Sequence, residues 1–274
     1  MQLALDYEIQ RAAGAALDGS NGGALLLEIP QERDQRARIR ALASMPDYVA
    51  NFLDETFEAL GEAEDAPLLN RVTQGQYQPG LLLQPLILAS AVEQGIVSLG
   101  DVVEDADRAV RVNGSDLHCA TKPPEPATWG DMAANRCPGP MLDLADQLGS
   151  GGLDTIFAAF GLAVDPDLEL DTETIPDQPL EDPLLAGIGQ ENLSITPLQI
   201  GLAMGALAND GRLRQAQIGL AIADEEGQWQ PWDLQAAPVQ AVQGAAARAV
   251  QRTIPEVDGV REFAPLVLSG PEGS

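Results

Sequence analysis

The chain has 274 residues, of which 42 are acidic and 15 basic, so its formal net charge is −27. This charge argues against nucleic acid and against contact with an anionic membrane, because both repel an acidic surface. The single lysine, Lys122, excludes mechanisms that need two lysines, and the single histidine, His118, excludes histidine-rich metal sites. We therefore expect no metal and no cofactor. No run of about 20 apolar residues is present, and the start of the chain does not resemble a signal peptide.

The N-terminal quarter predicts a helix followed by an antiparallel hairpin. Asp6 is suited to cap a helix over 7–17. The apolar run 23–29 predicts a buried strand, the polar residues 30–36 a turn, and the alternating residues 38–44 a half-buried partner strand. The acidic residues 47–70 predict a loop with a short helix.

The middle of the chain predicts mainly helices. Residues 81–94 are apolar on almost every side, with Pro85 in the first turn and Gly95 at the end, which indicates a central buried helix. Residues 101–138 are rich in proline and charge and predict loops and turns. A helical pair, 142–148 and 153–160, is separated by the four small residues 149–152, and an exposed acidic connector is expected over 165–183.

The C-terminal part begins with a strong helix start. Thr196, Pro197 and Gln199 form the pattern of a capping box, and the helix should run to about Ala208. Its small residues Gly201 and Gly205 favour close packing against another helix. A second hairpin (217–223 and 229–234), a last helix (239–253) and a final strand (263–268) complete an α+β pattern.

The two cysteines, Cys119 and Cys137, are 18 residues apart. This spacing is not that of a CxxC metal or redox site, so they are either two free thiols or, outside the cytosol, a disulfide. Both alternatives remain open from the sequence.

Several segments resemble the transpeptidase domain of penicillin-binding proteins, in the order in which that family has them. Ala4–Gln10 matches T-L-D-x-x-x-Q, and Arg40–Pro46 matches A-x-A-S-x-P. Asn70-Arg71 matches N-R, and Tyr77–Gly80 matches Y-x-P-G. Residues 188–190 match I-G-Q, residues 193–199 match L-S-V-T-P-L-Q, and residues 206–211 match A-L-A-N-G-G. The resemblance spans nearly the whole chain. It implies a β-lactamase-like fold with a five-stranded antiparallel sheet and helices on both faces.

The resemblance also implies three catalytic motifs, and each is altered here. The S-x-x-K motif, which supplies the nucleophilic serine and its base, reads Leu81-Leu82-Leu83-Gln84. The S-x-N motif aligns with Arg136-Cys137-Pro138. The K-T-G motif, whose lysine receives the substrate carboxylate, aligns with Leu268-Ser269-Gly270. These changes remove nucleophile, base and anion clamp together, so we expect no catalytic residue.

Other residues are poor candidates to replace the missing nucleophile or base. Cys137 is interpreted as a packed or disulfide-bonded residue, and Glu93 and Glu191 as surface or capping carboxylates. Ser269 keeps one hydroxyl near the expected sheet edge.

We expect a single domain over 1–274, with a helical part of about 47–210 and a sheet part from 1–46 and 212–274. In the family two more strands and a C-terminal helix follow the K-T-G strand. The chain is thus expected either to be completed by another segment or to leave a sheet edge open to strand addition.

Three functions follow from the resemblance. The first is a catalytically inactive scaffold or binding module in cell-wall synthesis, with a protein as partner. The second is a sensor that binds peptidoglycan stem peptides or β-lactams without covalent chemistry, with Arg136 as carboxylate clamp. The third is a transpeptidase or carboxypeptidase that uses displaced residues. An extracytoplasmic location is expected if an upstream anchor is fused to this chain.

Overall fold

The computed structural model of the chain describes residues 1–30, 32, 35–173, 180–190, 193–232 and 236–263. The helices in this part are α1 (Tyr7–Ala16), α2 (Leu53–Gly61), α3 (Gln84–Glu93), α4 (Trp129–Asn135), α5 (Gly139–Ala159), α6 (Pro183–Gly187), α7 (Pro197–Ala208) and α8 (Gly244–Gln251). Short 3-10 helices, Ala50–Phe52 and Gly80–Leu83, lead directly into α2 and α3. No helix of the described residues is long and apolar enough to span a bilayer.

The strands are mostly short. They are β1 (Gln2–Leu3), β2 (Gly22–Glu28), β3 (Ala37–Met45), β4 (Val102–Val103), β5 (Val110–Val112), β6 (Ser115–Leu117), β7 (Ala127–Thr128), β8 (Arg212–Leu213), β9 (Ala216–Gln217), β10 (Gly219–Ala223), β11 (Trp229–Pro231), β12 (Val239–Gln240), β13 (Glu256–Val257) and β14 (Val260–Arg261). Helices and mainly antiparallel strands are mixed, and the predicted α+β class is confirmed.

The longest pairing is the hairpin of β2 and β3, from Gly22 opposite Met45 to Glu28 opposite Arg38. Every second residue of β3 from Ala37 to Ala43 is buried, as predicted for a half-buried strand. The expectation that β2 is buried is wrong. None of its residues is buried, because Leu25 and Leu27 line a cavity and Leu26 is 43% exposed; among the described strands β2 is also the edge of its sheet.

The second sheet lies beside the first. Its order is β1-β10-β11, and the two are joined by backbone hydrogen bonds from Ala4 N to Ile218 O (2.7 Å) and from Asp6 N to Arg40 O (2.9 Å). The implied five-stranded antiparallel sheet is thus divided, among the described residues, into smaller sheets. The one parallel pairing described there is β3 with β9.

The helical core is built around α3, as the sequence predicted. All residues from Gln84 to Ala91 are buried. Large side chains of α5, among them Met141, Leu144 and Ile156, belong to the same apolar cluster. The predicted helical pair is confirmed, because α5 consists of two helical stretches that meet at Gly149, whose dihedrals (φ 65°, ψ 172°) are not helical.

The capping box of α7 is confirmed, since Thr196 Oγ1 accepts from Gln199 N and Gln199 Oε1 accepts from Thr196 N. The packing prediction for its glycines is wrong. A Cβ at Gly201 would lie 2.8 Å from Leu25 Cδ2 of β2, and one at Gly205 would lie 3.3 Å from Ile29 Cδ1. The small face of α7 therefore admits the hairpin, not a second helix.

Residues 101–138 contain more structure than the loops predicted from their composition. β5 and β6 form a hairpin around Asn113-Gly114, both at positive φ, which is the usual chemistry of a tight hairpin turn. β4 pairs with β7, and α4 follows. The last helix, α8, is shorter than predicted because Val239 and Gln240 pair with β8 as strand β12. Apart from Phe263, the predicted final strand lies outside the described residues.

Replacing Gly189 by alanine should destabilise the fold strongly. Gly189 has φ +66°, and a Cβ there would overlap the backbone of Gly80, to which its carbonyl is hydrogen-bonded (Gly80 N to Gly189 O, 3.0 Å). We expect a loss of about 3 kcal/mol in the free energy of unfolding, measured by urea denaturation. Gly100→Ala is the control, because its Cβ would meet nothing within 4 Å; an equal loss in both variants would contradict this packing.

Candidate functional site

The site predicted from the first motif lies where two distant segments meet. Tyr77 and Ile195 exchange backbone hydrogen bonds (Tyr77 N to Ile195 O, 3.1 Å; Ile195 N to Tyr77 O, 3.0 Å). Together with the Gly80–Gly189 bond, this pairing holds the start of α3 against the turn that precedes α7. The structure thus brings together the Y-x-P-G, I-G-Q and T-P-L-Q segments that carried the resemblance.

The three leucines before α3 have different surroundings. Leu83 is completely buried, and Leu81 is partly buried against the helical core. Leu82 lines a cavity of about 460 Å³ between β2, α7 and the end of α8. This segment therefore seals the core on one side and lines an open apolar space on the other.

The cavity beside Leu82 has a mainly apolar lining. Leu25 and Leu27 come from β2, and Ile200 and Met204 from α7. Among the described residues that line it, the polar side chains are those of Gln251 and Arg261. Such a lining fits aliphatic groups and offers no oxygen or sulfur nucleophile. The sequence did not predict this cavity, because it depends on how β2 and α7 approach each other.

Gln84 lies one turn after Leu81 and is completely buried. Its side-chain Nε2 donates to two backbone carbonyls, Met132 O (3.3 Å) and Cys137 O (3.1 Å), while its Oε1 has no hydrogen-bond partner among the described residues. The first and second predicted motifs are thereby brought into direct contact. The contact ties α3 to the turn between α4 and α5, and a neutral amide does not act as an acid or a base near neutral pH.

Arg136 and Pro138 form the turn between α4 and α5. Arg136 ends α4 with left-handed dihedrals (φ 51°, ψ 55°), and Pro138 precedes the first residue of α5. The Nε of Arg136 is buried without a hydrogen-bond partner, and none of the described salt bridges includes its guanidinium. Arg136 is thus a partly buried cation that has not been neutralised within the described part of the chain.

Cys137, between them, is fully buried and joined to Cys119 by a disulfide. The interpretation of Cys137 as a packed or bonded residue is confirmed, and the free-thiol alternative is not what the structure shows. A sulfur in a disulfide is not a thiolate nucleophile.

Other candidate acids and bases are also placed by the structure. Glu93 Oε1 accepts from the backbone N–H of Gln243 (3.0 Å), which confirms its capping role. Burial raises the pKa of Tyr77 above its usual value, although the charge of Arg71 lowers it in part, so the phenol stays protonated at neutral pH. Lys122 and His118 are exposed in the segment between β6 and β7.

Leu268, Ser269, Gly270 and Glu191 lie outside the described residues. Among those that are described, no group of three or more His, Cys, Asp or Glu side chains is arranged to hold a metal ion.

Comparison with known proteins identifies the family. A family model described as "Penicillin binding protein transpeptidase domain" matches residues 15–261. This chain belongs to the penicillin-binding protein transpeptidase family. The resemblance found in the sequence motifs is therefore confirmed.

Individual relatives of this transpeptidase-family chain are distant. It is 25% identical over 246 residues to the peptidoglycan D,D-transpeptidase MrdA of Haemophilus influenzae, covering 81% of this chain and 37% of the relative. It is also 25% identical over 222 residues to the peptidoglycan D,D-transpeptidase PbpA of Mycolicibacterium smegmatis, covering 74% of this chain and 45% of the relative. The chain thus spans less than half the length of these curated relatives.

Solved structures share the fold. Penicillin-binding protein A of M. tuberculosis, in an imipenem acyl-enzyme complex, superposes with a TM-score of 0.79 at 22% identity, covering 92% of this chain and 62% of that one. The D,D-transpeptidase domain of a peptidoglycan glycosyltransferase from Eggerthella lenta gives a TM-score of 0.76 at 22% identity, covering 92% and 64%. The β-lactamase-like architecture implied by the motifs is confirmed.

Replacing Gln84 by methionine should destabilise this transpeptidase-like fold. The change keeps the apolar bulk but removes both donors, and leaves Cys137 O without its side-chain partner in a buried turn. We expect a loss of about 1–3 kcal/mol in unfolding free energy, measured by urea denaturation. Gln94→Met, at the exposed end of α3, should change stability by less than about 0.5 kcal/mol. Equal effects of the two substitutions would show that Gln84 does not tie the helices together.

Proposed function

We propose that residues 1–274 form a single transpeptidase-like domain that does not catalyse and acts as a scaffold or binding module in peptidoglycan synthesis. One observation carries the proposal. At the start of the central helix, the motif pattern assigns Leu81 to the position of the nucleophile and Gln84 to that of its base, and the amide of Gln84 donates to two backbone carbonyls. The family supplies the link to the cell wall, and the site supplies the argument against catalysis.

The surroundings of Gln84 support this inertness. Acyl transfer by a serine needs a nucleophile and a base within about 3 Å of each other. Of the described groups in these motif segments, Tyr77 is a protonated phenol, Cys137 is disulfide-bonded and Arg136 is a cation. None of these can accept a proton from an attacking group at neutral pH.

The disulfide supports an extracytoplasmic location. Structural disulfides persist in oxidising compartments and are rare in the cytosol. Cys119 and Cys137 are bonded to each other, and the bond lies beside the turn that carries Arg136. A domain that works on or beside the cell wall is expected to fold in such a compartment.

The decisive test is acylation by a labelled penicillin. The chain should form no stoichiometric, hydrolysis-resistant adduct after prolonged incubation, measured by intact-protein mass, because Leu81 has no lone pair with which to attack the lactam carbonyl. An active transpeptidase domain of the same family is the positive control. An adduct of one penicillin per chain would overturn the proposal and favour the alternative of a transpeptidase or carboxypeptidase with displaced residues, which Ser269→Ala would then test.

The orphaned Nε of Arg136 favours a second candidate function. A partly buried guanidinium without an ion-pair partner among the described residues is suited to receive a carboxylate. In this alternative the domain senses peptidoglycan stem peptides or β-lactams without covalent chemistry. Calorimetry with a D-Ala-D-Ala stem peptide separates the candidates: heat of binding that disappears in Arg136→Gln supports the sensor, and the absence of heat in the unaltered chain supports the scaffold.

A further inference from the structure

Helix α2 and the turn before it expose large apolar side chains. Val49 is 62% exposed, Phe52 55% and Phe57 61%, and α2 contains no buried residue. The chain has only five phenylalanines, and two of them are on this segment. Exposed apolar groups that together form a contiguous patch mark interaction sites, whereas single scattered ones do not.

The apolar and charged side chains of α2 lie on opposite sides. At about 100° per residue, the apolar positions fall within an arc of roughly 140°: they are Phe52, Leu53, Phe57 and Leu60. The acidic positions occupy roughly 100° on the other side: they are Asp54, Glu55, Glu58 and Glu62. Leu53 and Leu60 are half-buried, so the fold covers the middle of the apolar arc and leaves Phe52 and Phe57 uncovered on its flanks.

The charge of the segment restricts what can cover these flanks. Between Pro46 and Asn70 there are seven acidic residues and no lysine, arginine or histidine. None of the ion pairs described in the structure involves any of the seven. An anionic lipid surface would be repelled, and so would a second copy of a chain of net charge −27.

We propose that α2 docks onto a protein partner through its exposed side, with Phe52 and Phe57 inserted in two apolar pockets and with lysine and arginine between the pockets. Aromatic anchors of this kind supply most of the affinity of an interface. The basic groups between the pockets would neutralise Asp54, Glu55 and Glu58 and would direct the orientation of the helix. The inference deepens the binding-module function and rests on it only in requiring a protein partner.

The test is site-specific photocrosslinking in the native host. The whole protein carries a benzophenone amino acid in place of Phe57, and a matched variant carries it in place of Trp229, an aromatic that is 56% exposed on β11. We expect an adduct at position 57 and none at 229. The adduct peptide of the captured protein should contain aliphatic residues beside at least two lysines or arginines.

The captured protein is then purified and its affinity for the chain measured. The triple variant D54K/E55K/E58K should weaken binding at least about tenfold, and Phe52→Ser with Phe57→Ser should abolish it. Circular dichroism should show unchanged folding for both, because none of these side chains is buried. A conservative control, Thr56→Ser on the same helix, should bind as the unaltered chain does.

Five outcomes would overturn the proposal: no adduct at position 57, equal adducts at 57 and 229, an adduct to lipid, an adduct to a second copy of this chain, or a captured protein that binds the charge-reversed variant as tightly as the unaltered chain. A penicillin acylation assay on the Phe57→Ser variant distinguishes failure of the docking proposal from failure of the proposed function. Acylation would disprove the inert scaffold whatever α2 binds, whereas failed capture without acylation would disprove only the docking surface.

Discussion

The buried amide of Gln84 is the contact on which the arrangement of the site depends. It joins the central helix α3 to the turn between α4 and α5, and so holds the first and second family motifs against each other. A lysine here would bring a charge into a site with no exposed surface, which is stable only if a partner or a lowered pKa compensates it. A neutral amide avoids this cost. It donates to two carbonyls and so positions the helices.

The other residues of the predicted site also take part in packing or in a covalent bond. Leu81 joins the core, Leu82 lines an apolar cavity, and Cys137 is bound in a disulfide rather than left as a thiol. The aliphatic side chains of Leu81 and Leu82 need no hydrogen-bond partner in these places. In the proposed inactive domain, the fold is kept while the function moves from the cleft to the outer surfaces.

Much of the fold could be predicted from the sequence where local chemistry decides it. The capping box at Thr196, the buried α3 and the half-buried β3 were all readable from short patterns. The Asn113-Gly114 hairpin was not predicted, although Asn-Gly is a hairpin signal, because the surrounding residues are rich in proline and charge. Features that depend on distant segments were not readable: Gly201 faces a strand rather than a helix, β2 is an edge, and the amide of Gln84 finds two carbonyls about 50 residues away. The spacing of the motif predicted which positions Leu81 and Gln84 occupy in it, whereas their contacts could not be predicted.

Hydrogen exchange of the Gln84 side-chain amide, followed by NMR on glutamine-labelled protein, is the most direct measurement of this tie. If Nε2 donates to Met132 and Cys137 inside the core, its protons should exchange at least about 100-fold more slowly than those of the exposed Gln94. If the two amides exchange at similar rates, Gln84 is open to solvent, and the account of a sealed site held by a neutral amide is wrong.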